Sequence, residues 1–248
     1  MSITITKLVG ACAVALCGLQ SPQALAEEPK PPKTIEAETY LADVSALFKK
    51  QWPTNRTVNI VCHGHSVPAG YFLTPVVDSL NAYPHLLFTG LKARFPFAVV
   101  NVIVTAIGGE NSESGAARFE KDVLSHNPDV VCIDYALNDR GLGVERSRRA
   151  LVSMITKAKE KQIKVLLLTP TAALSAKLDN AGDPLNQQAA MIKALAKEQE
   201  VGLVDSLAEF QSYVTNGGKL ADLMCHENHP NRKGHELVAK KLLEWFPE

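Results

Sequence analysis

The chain lacks the features that mark nucleic-acid-binding and membrane-spanning proteins. Lys plus Arg and Asp plus Glu number 26 each, so the formal net charge is zero. No stripe of basic residues with interleaved aromatics is present, which excludes an electrostatic footprint for nucleic acid or for an anionic membrane surface. No apolar run reaches the roughly 20 residues that a membrane-spanning helix needs. We therefore expect no nucleic-acid partner and no stable insertion into a membrane.

Cysteine is scarce, and its count leaves at least one thiol free. Five cysteines are present, of which Cys12 and Cys17 lie close to the N-terminus. If that terminus is removed, Cys62, Cys132 and Cys225 remain, and an odd number cannot all pair. Because Cys62 and Cys132 lie inside apolar runs, we expect both to be buried as small hydrophobic side chains.

The N-terminus itself has the pattern of a secretory signal peptide. Lys7 supplies a positive charge, Leu8–Leu19 is an apolar run, and Ala24-Leu25-Ala26 is an A-x-A cleavage site. The apolar run, about a dozen residues, is too short for a membrane anchor. The sequence thus predicts a signal peptide over 1–26, a flexible leader over 27–35 and a single domain over 36–248. The expected location is secreted or periplasmic.

Five short apolar runs alternate with helical stretches, which indicates an α/β fold. The runs are rich in Val, Ile and Leu and mostly lack polar alternation, as expected of strands buried on both faces of a parallel sheet. Leu151, Met154, Ile155 and Ala158 have the spacing of an amphipathic helix between two of them. Such alternation implies right-handed crossovers and a doubly wound sheet. The predicted strands are Thr57–Cys62, Ala98–Val104, Val130–Tyr135, Lys164–Thr169 and Gly202–Asp205.

The first two predicted strands are followed by turns suited to acyl chemistry. Gly64-His65-Ser66 places a hydroxyl at the carboxyl end of a strand, where open α/β sheets keep their sites. A serine is a weak nucleophile until a base takes its proton, so Ser66 requires a partner. After the second strand, Gly109 can bring a backbone N–H close to a ligand, because it has no Cβ.

Two later segments supply partners of the right type. Asn138 follows the third strand, and its side-chain amide is an uncharged donor that can stabilise an oxyanion. Asp139 is expected to orient that loop through local hydrogen bonds. His229 lies before the last helix, where a histidine can return to the sheet edge as a general base. Alone, each of the first three blocks is also compatible with an ordinary turn.

The order of these four blocks resembles the SGNH/GDSL hydrolases, from about residue 59 to residue 245. The resemblance implies a three-layer α/β/α, flavodoxin-like sandwich with a five-stranded parallel sheet. It also implies ester hydrolysis through an acyl-enzyme, with Ser66 as nucleophile and His229 as general base and then acid. The oxyanion hole would comprise the backbone N–H groups of Ser66 and Gly109 and the side chain of Asn138. No metal or organic cofactor is implied.

The chain departs from the family pattern at three positions. His65 stands where the first block usually has Asp, and Ala136 stands where the third block usually begins with Gly. His226 stands three residues before His229, where the family commonly has the Asp that orients the base. Two alternatives stay open. Either a displaced carboxylate, Asp222 or Glu227, orients the base, or a backbone carbonyl does so in a Ser-His dyad.

Two other functions compete with the serine esterase. The zinc site of a metal-dependent hydrolase could be formed by His63 and His65 together with Cys225, His226, His229 and His235. Alternatively, the missing acid at position 226 could mark a degraded, glycan-binding module.

The substrate of a serine esterase is less defined than its mechanism. Predicted export and a small domain without an extended apolar lid favour a small-molecule or glycan ester, with short acyl groups such as acetyl on carbohydrate. A lysophospholipase or thioesterase of the same fold is the alternative. The irregular connection over about 170–185 is expected to line the substrate cleft. The sequence does not indicate an oligomeric state.

Overall fold

The computed structural model describes residues 1–4 and 35–248. The sheet and its helices belong to one compact unit, Pro32–Glu248. The predicted signal peptide and leader lie almost wholly outside the described residues. Within the described residues, no helix is both long and apolar enough to cross a membrane.

Five parallel strands form one sheet, as the sequence predicts. Its spatial order is β2-β1-β3-β4-β5, the order of a flavodoxin-like doubly wound fold. Each strand ends within two residues of its predicted end, because runs of Val, Ile and Leu can be buried on both faces of a central sheet. The strands are β1 (Thr57–Gly64), β2 (Val99–Val104), β3 (Val130–Asp134), β4 (Lys164–Leu168) and β5 (Gly202–Val204).

Helices cover both faces of the sheet. The main ones are α1 (Ala37–Tyr40), α2 (Ala42–Phe48), α3 (Ser66–Ala69), α4 (Tyr83–Arg94), α5 (Ser112–Asp122), α6 (Ala136–Asp139), α7 (Val144–Glu160), α8 (Pro184–Glu198), α9 (Ser206–Thr215) and α10 (Arg232–Leu243). Short 3-10 turns at Ser79–Asn81, Leu124–His126 and Leu220–Leu223 complete the connections.

Alternate residues of the strands face opposite sides of the sheet and belong to two separate hydrophobic cores. On β3, Cys132 packs with α2, α4 and α10 on one face, while Val131 and Ile133 pack with α5, α7 and α8 on the other. The predicted stripe on α7 is buried in the second core. Cys62 and Cys132 are fully buried thiols, which confirms that prediction.

The order of the strands creates a crevice at their carboxyl ends. From β1 the chain crosses to β2 on one side, and then returns to β3 on the other side of β1. The connections after β1 and β3 therefore diverge, and doubly wound sheets bind ligands at such a point. Ser66 and Asn138 follow these two strands, so the fold brings their loops to one edge.

Candidate active site

The turn after β1 places Ser66 at the start of a helix. Gly64 is required there, since a Cβ would collide with the backbone carbonyl oxygen of Asp134 on the neighbouring strand. Ser66 is the first residue of α3, so its N–H has no partner inside the helix. The side chain is largely buried, with 6% of the residue exposed.

His229 lies against this serine. Its Nε2 atom is 3.1 Å from Ser66 Oγ, although the two residues are far apart in sequence. A tight turn before α10 holds the histidine, because the Cys225 N–H donates to the His229 carbonyl at 3.0 Å. Asn231 then caps α10 through the Gly234 N–H, at 3.2 Å. The fold thus forms the nucleophile–base contact that acyl transfer needs.

The second nitrogen of His229 meets a backbone carbonyl. Its Nδ1 atom is 2.8 Å from the carbonyl oxygen of Phe72. That oxygen only accepts, so Nδ1 carries the proton and Nε2 is left free to accept the Ser66 hydroxyl. The geometry therefore matches the dyad alternative.

Neither carboxylate near His229 in the sequence takes that place. Asp222 accepts from the Lys219 N–H at 3.2 Å and from the Tyr213 hydroxyl at 3.3 Å. Glu227 accepts from the Ser175 N–H at 2.9 Å. These contacts hold two loops in place, so the displaced-acid alternative does not apply to either residue.

Burial lowers the pKa of His229 from its ordinary value of 6.5. The Phe72 carbonyl opposes this shift, and charge on His226 or His65 would lower the pKa further. The imidazole is therefore neutral near pH 7, the state in which it can accept a proton. Because only the neutral form is a base, kcat/KM should fall as the pH drops through this lowered value.

His226→Asp is expected to shift the acid limb of that pH profile upward by about one pH unit. The His226 and His229 ring centroids lie 5.5 Å apart, so the change replaces a group whose positive charge lowers the pKa of His229 with one whose negative charge raises it. The measurement is kcat/KM for an aryl acetate against pH. His126→Asp, at an exposed site, is the matched control. An acid limb that stays in place would contradict the assignment of His229 as base.

Asn138 is held with one amide hydrogen directed at the loop after β2. Its Nδ2 atom donates to the Glu110 carbonyl at 2.8 Å, which leaves the second N–H for a ligand. Gly109 adopts φ +81°, a left-handed conformation that favours glycine. The N–H groups of Gly109 and Ser66 donate to no protein acceptor in the described part of the chain. Three donors are thus available on the loops after β1, β2 and β3.

Asp139 is buried, and its carboxylate links its loop to α5 and α7. Its carboxylate accepts from the Ser112 N–H at 2.9 Å and from the Ser147 hydroxyl at 2.6 Å. Burial raises the pKa of Asp139, although these donors oppose the shift. Asn111 caps α5 through the Ser114 N–H at 3.1 Å.

The two histidines of the first block have different surroundings. His63 is buried beside α5, with Nδ1 2.9 Å from the Thr105 hydroxyl and Nε2 3.1 Å from the Tyr135 hydroxyl. Burial lowers the pKa of His63 to about 4. His65 lies next to Ser66 and is fully buried. Among residues 1–4 and 35–248, no three His, Cys, Asp or Glu side chains group as metal ligands would, so the residues do not fit the zinc alternative.

A cavity of about 480 Å³ opens beside Asn138. Part of its wall comes from the irregular connection between β4 and α8. Arg140 contributes a half-buried guanidinium, whose Nε donates to the Leu137 carbonyl at 2.7 Å. The lining residues are Leu137, Asn138, Arg140, Gly141, Ser175, Ala176, Asp183 and Pro184.

Sequence reasoning missed two groups that the site uses. The Phe72 carbonyl could not be found, because every residue has a backbone carbonyl and only the fold selects one. Tyr71 was also missed; its ring centroid lies 6.1 Å from that of His229. A Cβ on Gly108 would approach the same tyrosine ring to 2.9 Å, so Tyr71 packs between the base and the loop after β2.

Comparison with known proteins agrees with this geometry. A family model described as the GDSL-like Lipase/Acylhydrolase family matches residues 62–237. An acetylxylan esterase of Geobacillus stearothermophilus is 24% identical over 165 residues, covering 62% of this chain and 75% of the relative. The crystal structure of Axe2, an acetylxylan esterase from that organism, has a TM-score of 0.66 at 23% identity, covering 77% of this chain and 94% of Axe2.

Other solved structures extend the likeness. LAE5, an alpha/beta hydrolase enzyme from the metagenome of Lake Arreo, Spain, has a TM-score of 0.66 at 21% identity, covering 81% of this chain and 97% of LAE5. Axe2 has been solved as catalytic mutants of a serine, a histidine and an aspartate, the aspartate lying three residues before the histidine. In this chain His226 lies three residues before His229. With a family match over most of its length and the expected fold, the chain belongs to the GDSL-like lipase/acylhydrolase (SGNH) family of esterases.

Proposed function

We propose that this protein is an exported serine esterase that removes short acyl groups, such as acetyl, from carbohydrate. The observation that carries the catalytic part is the 3.1 Å contact between Ser66 Oγ and His229 Nε2, with Nδ1 fixed on the Phe72 carbonyl. The proposed roles are Ser66 as nucleophile and His229 as general base and then acid. Export is proposed from the N-terminal sequence pattern alone.

The proposed reaction has two balanced halves. Ser66 Oγ attacks the ester carbonyl carbon while its proton passes to His229 Nε2, and the carbonyl oxygen becomes an oxyanion. The N–H groups of Ser66, Gly109 and Asn138 stabilise that oxyanion. When the tetrahedral intermediate collapses, the bond to the alcohol breaks and His229 returns the proton to the alcohol. Water then attacks the acyl-enzyme by the same route, releasing the carboxylic acid and restoring Ser66.

The polar lining of the cavity beside Asn138 supports an ester substrate whose alcohol part is polar. Arg140, Asn138 and Ser175 present donors and acceptors to it, as a site for a sugar with several hydroxyl groups requires. Arg140 uses Nε on the Leu137 carbonyl and makes no ion pair within the described residues, so its terminal amino groups are available for a ligand. The similarity to acetylxylan esterases supports the same substrate class.

A longer acyl chain is the second candidate, and one observation favours it. Leu73, Ile107 and Leu174 are between 44% and 58% exposed. Each lies on a loop that contacts the site: Leu73 follows Phe72, Ile107 precedes Gly109, and the Leu174 N–H donates to the Glu227 carbonyl at 2.7 Å. Exposed apolar groups of this kind are also used by enzymes that bind lipids.

Chain-length profiling followed by acetate release tests the proposal. We expect kcat/KM for aryl acetate to be at least about tenfold higher than for aryl octanoate. A pocket that fits a short acyl group discriminates against even one extra methylene by about tenfold or more. Acetylated xylo-oligosaccharide should release acetate. Arg140→Ala should raise KM for this glycan several-fold and leave aryl acetate turnover unchanged, and Arg149→Ala, exposed on α7, should change neither. A preference for octanoate, without acetate release, would favour the lipid alternative.

A further inference from the structure

A buried histidine–carboxylate pair lies directly behind the nucleophile. His65 and Asp134 are 0% and 2% exposed. His65 Nε2 lies 3.5 Å from Asp134 Oδ1, and neither atom has another partner in the part of the chain that the structure describes. Buried polar atoms are rarely left without partners, and the only polar group of the described residues that either atom approaches is the other, at a distance in the range of an ion pair. Asp134 Oδ2 accepts from the Tyr83 hydroxyl at 3.2 Å.

The backbone fixes which nitrogen of His65 carries the proton. The Val67 N–H donates to His65 Nδ1 at 3.2 Å, so Nδ1 is an acceptor and has no proton. The single proton of the neutral ring is therefore on Nε2, facing the Asp134 carboxylate. His65 Nδ1 also lies 3.5 Å from Ser66 Oγ.

The acceptor at residue 65 anchors the turn that holds the nucleophile. His65 is the N-cap of α3, and its bond to Val67 spans Ser66. A side-chain acceptor at this place satisfies an otherwise free N–H and fixes the first turn of a helix. Here it fixes the backbone of Ser66, and with it the 3.1 Å contact from Oγ to His229 Nε2.

We propose that His65 and Asp134 are a positioning pair that together replace the single aspartate usual at position 65 in this family. His65 Nδ1 supplies the acceptor for the Val67 N–H, and Asp134 supplies the negative charge that keeps the His65 proton on Nε2. The proposal rests on the proposed role of Ser66 as nucleophile. His65 Nδ1 comes within 3.5 Å of Ser66 Oγ, but the role proposed for both members is to hold the Ser66 turn and not to move its proton.

If His65 and Asp134 act as a pair, the effects of substituting them should be coupled, whereas the effects at independent residues would simply add. An aspartate at position 65 alone would bury a second carboxylate close to Asp134, and like charges in a buried site repel strongly. Replacing Asp134 by Asn at the same time removes that repulsion and leaves the family's usual aspartate at position 65. The two substitutions should therefore rescue each other.

Steady-state kinetics on an aryl acetate test this coupling. His65→Asp should lower kcat about 100-fold with KM changed less than about twofold, because a small misplacement of a reacting group costs that much. Asp134→Asn should lower kcat about tenfold, by favouring the wrong tautomer of His65. The double variant should recover at least about tenfold over His65→Asp. His126→Asp, at an exposed site, controls for added charge. A double variant no better than His65→Asp overturns the proposal.

A measurement on the unchanged protein removes any dependence on how the variants fold. In protein labelled with 15N histidine, His65 should show an unprotonated Nδ1 and a protonated Nε2. A proton on Nδ1 would overturn the proposal even if every variant failed to fold. Labelling of Ser66 by a fluorophosphonate distinguishes a failure of the proposed function from a failure of the proposed pair. Unlabelled, inactive wild type would refute the proposed function, whereas labelled wild type without mutual rescue refutes only the pair.

Discussion

Ser66→Ala is expected to lower kcat for an aryl acetate by about four orders of magnitude or more, with little change in KM. His229→Ala should cause a loss of similar size, because the hydroxyl of Ser66 is not nucleophilic until Nε2, 3.1 Å away, takes its proton. The two losses should not add, since the residues act as a unit. The double variant should therefore be about as active as either single one.

Ser125→Ala, at an exposed site, is the control for loss of a hydroxyl. Circular dichroism of each variant would show that the fold persists, which we expect because Ser66 and His229 contribute little to either hydrophobic core. A Ser66→Ala protein that hydrolyses the ester at the wild-type rate would refute the serine mechanism. Losses that multiply in the double variant would show that the residues act independently.

Asn138→Ala is expected to lower kcat by about two to three orders of magnitude, the usual cost of one oxyanion donor. KM should change little, because the donor acts where negative charge develops and not on the ground-state ester. Asn138→Asp should be at least as damaging, since a carboxylate would repel the oxyanion. Single-turnover kinetics on an aryl acetate would locate the loss in the acylation step.

Asn138 also donates a hydrogen bond to the Glu110 carbonyl, so its removal could lower kcat by displacing the loop after β2. A displaced loop would also move Gly109 and change substrate binding, so it would raise KM together with lowering kcat. Asn101→Ala, an exposed asparagine on β2, should leave both constants unchanged. A loss confined to KM would assign Asn138 to binding rather than to oxyanion stabilisation.

The sheet and the loops after its strands were predictable from the sequence for a physical reason. A strand buried on both faces is largely apolar, so β3 and β4 stand out through the apolar runs Val130–Ile133 and Val165–Leu168. Once the strands are fixed as parallel, their carboxyl ends meet at one edge. Ser66 and Asn138 then come together without any knowledge of their side-chain contacts.

The partners of the two histidines were not predictable in the same way. Asp134 ends a strand and has no local pattern that links it to His65. Their proximity depends on the register of β1 against β3, in which Gly64 pairs with Asp134. The Phe72 carbonyl depends likewise on the path of an irregular loop. Register and loop path follow from packing of the whole domain, which a single segment of sequence does not contain.

The use of the Phe72 carbonyl has a consequence for how this enzyme tolerates mutation. An orienting aspartate can be lost by one nucleotide change, but a main-chain oxygen survives every point substitution of the residue that bears it. Saturation mutagenesis at position 72 should thus leave much of the activity, whereas single-residue insertions or deletions between residues 71 and 77 should abolish it. The orientation of the base therefore depends on the length of this loop and not on the identity of one side chain.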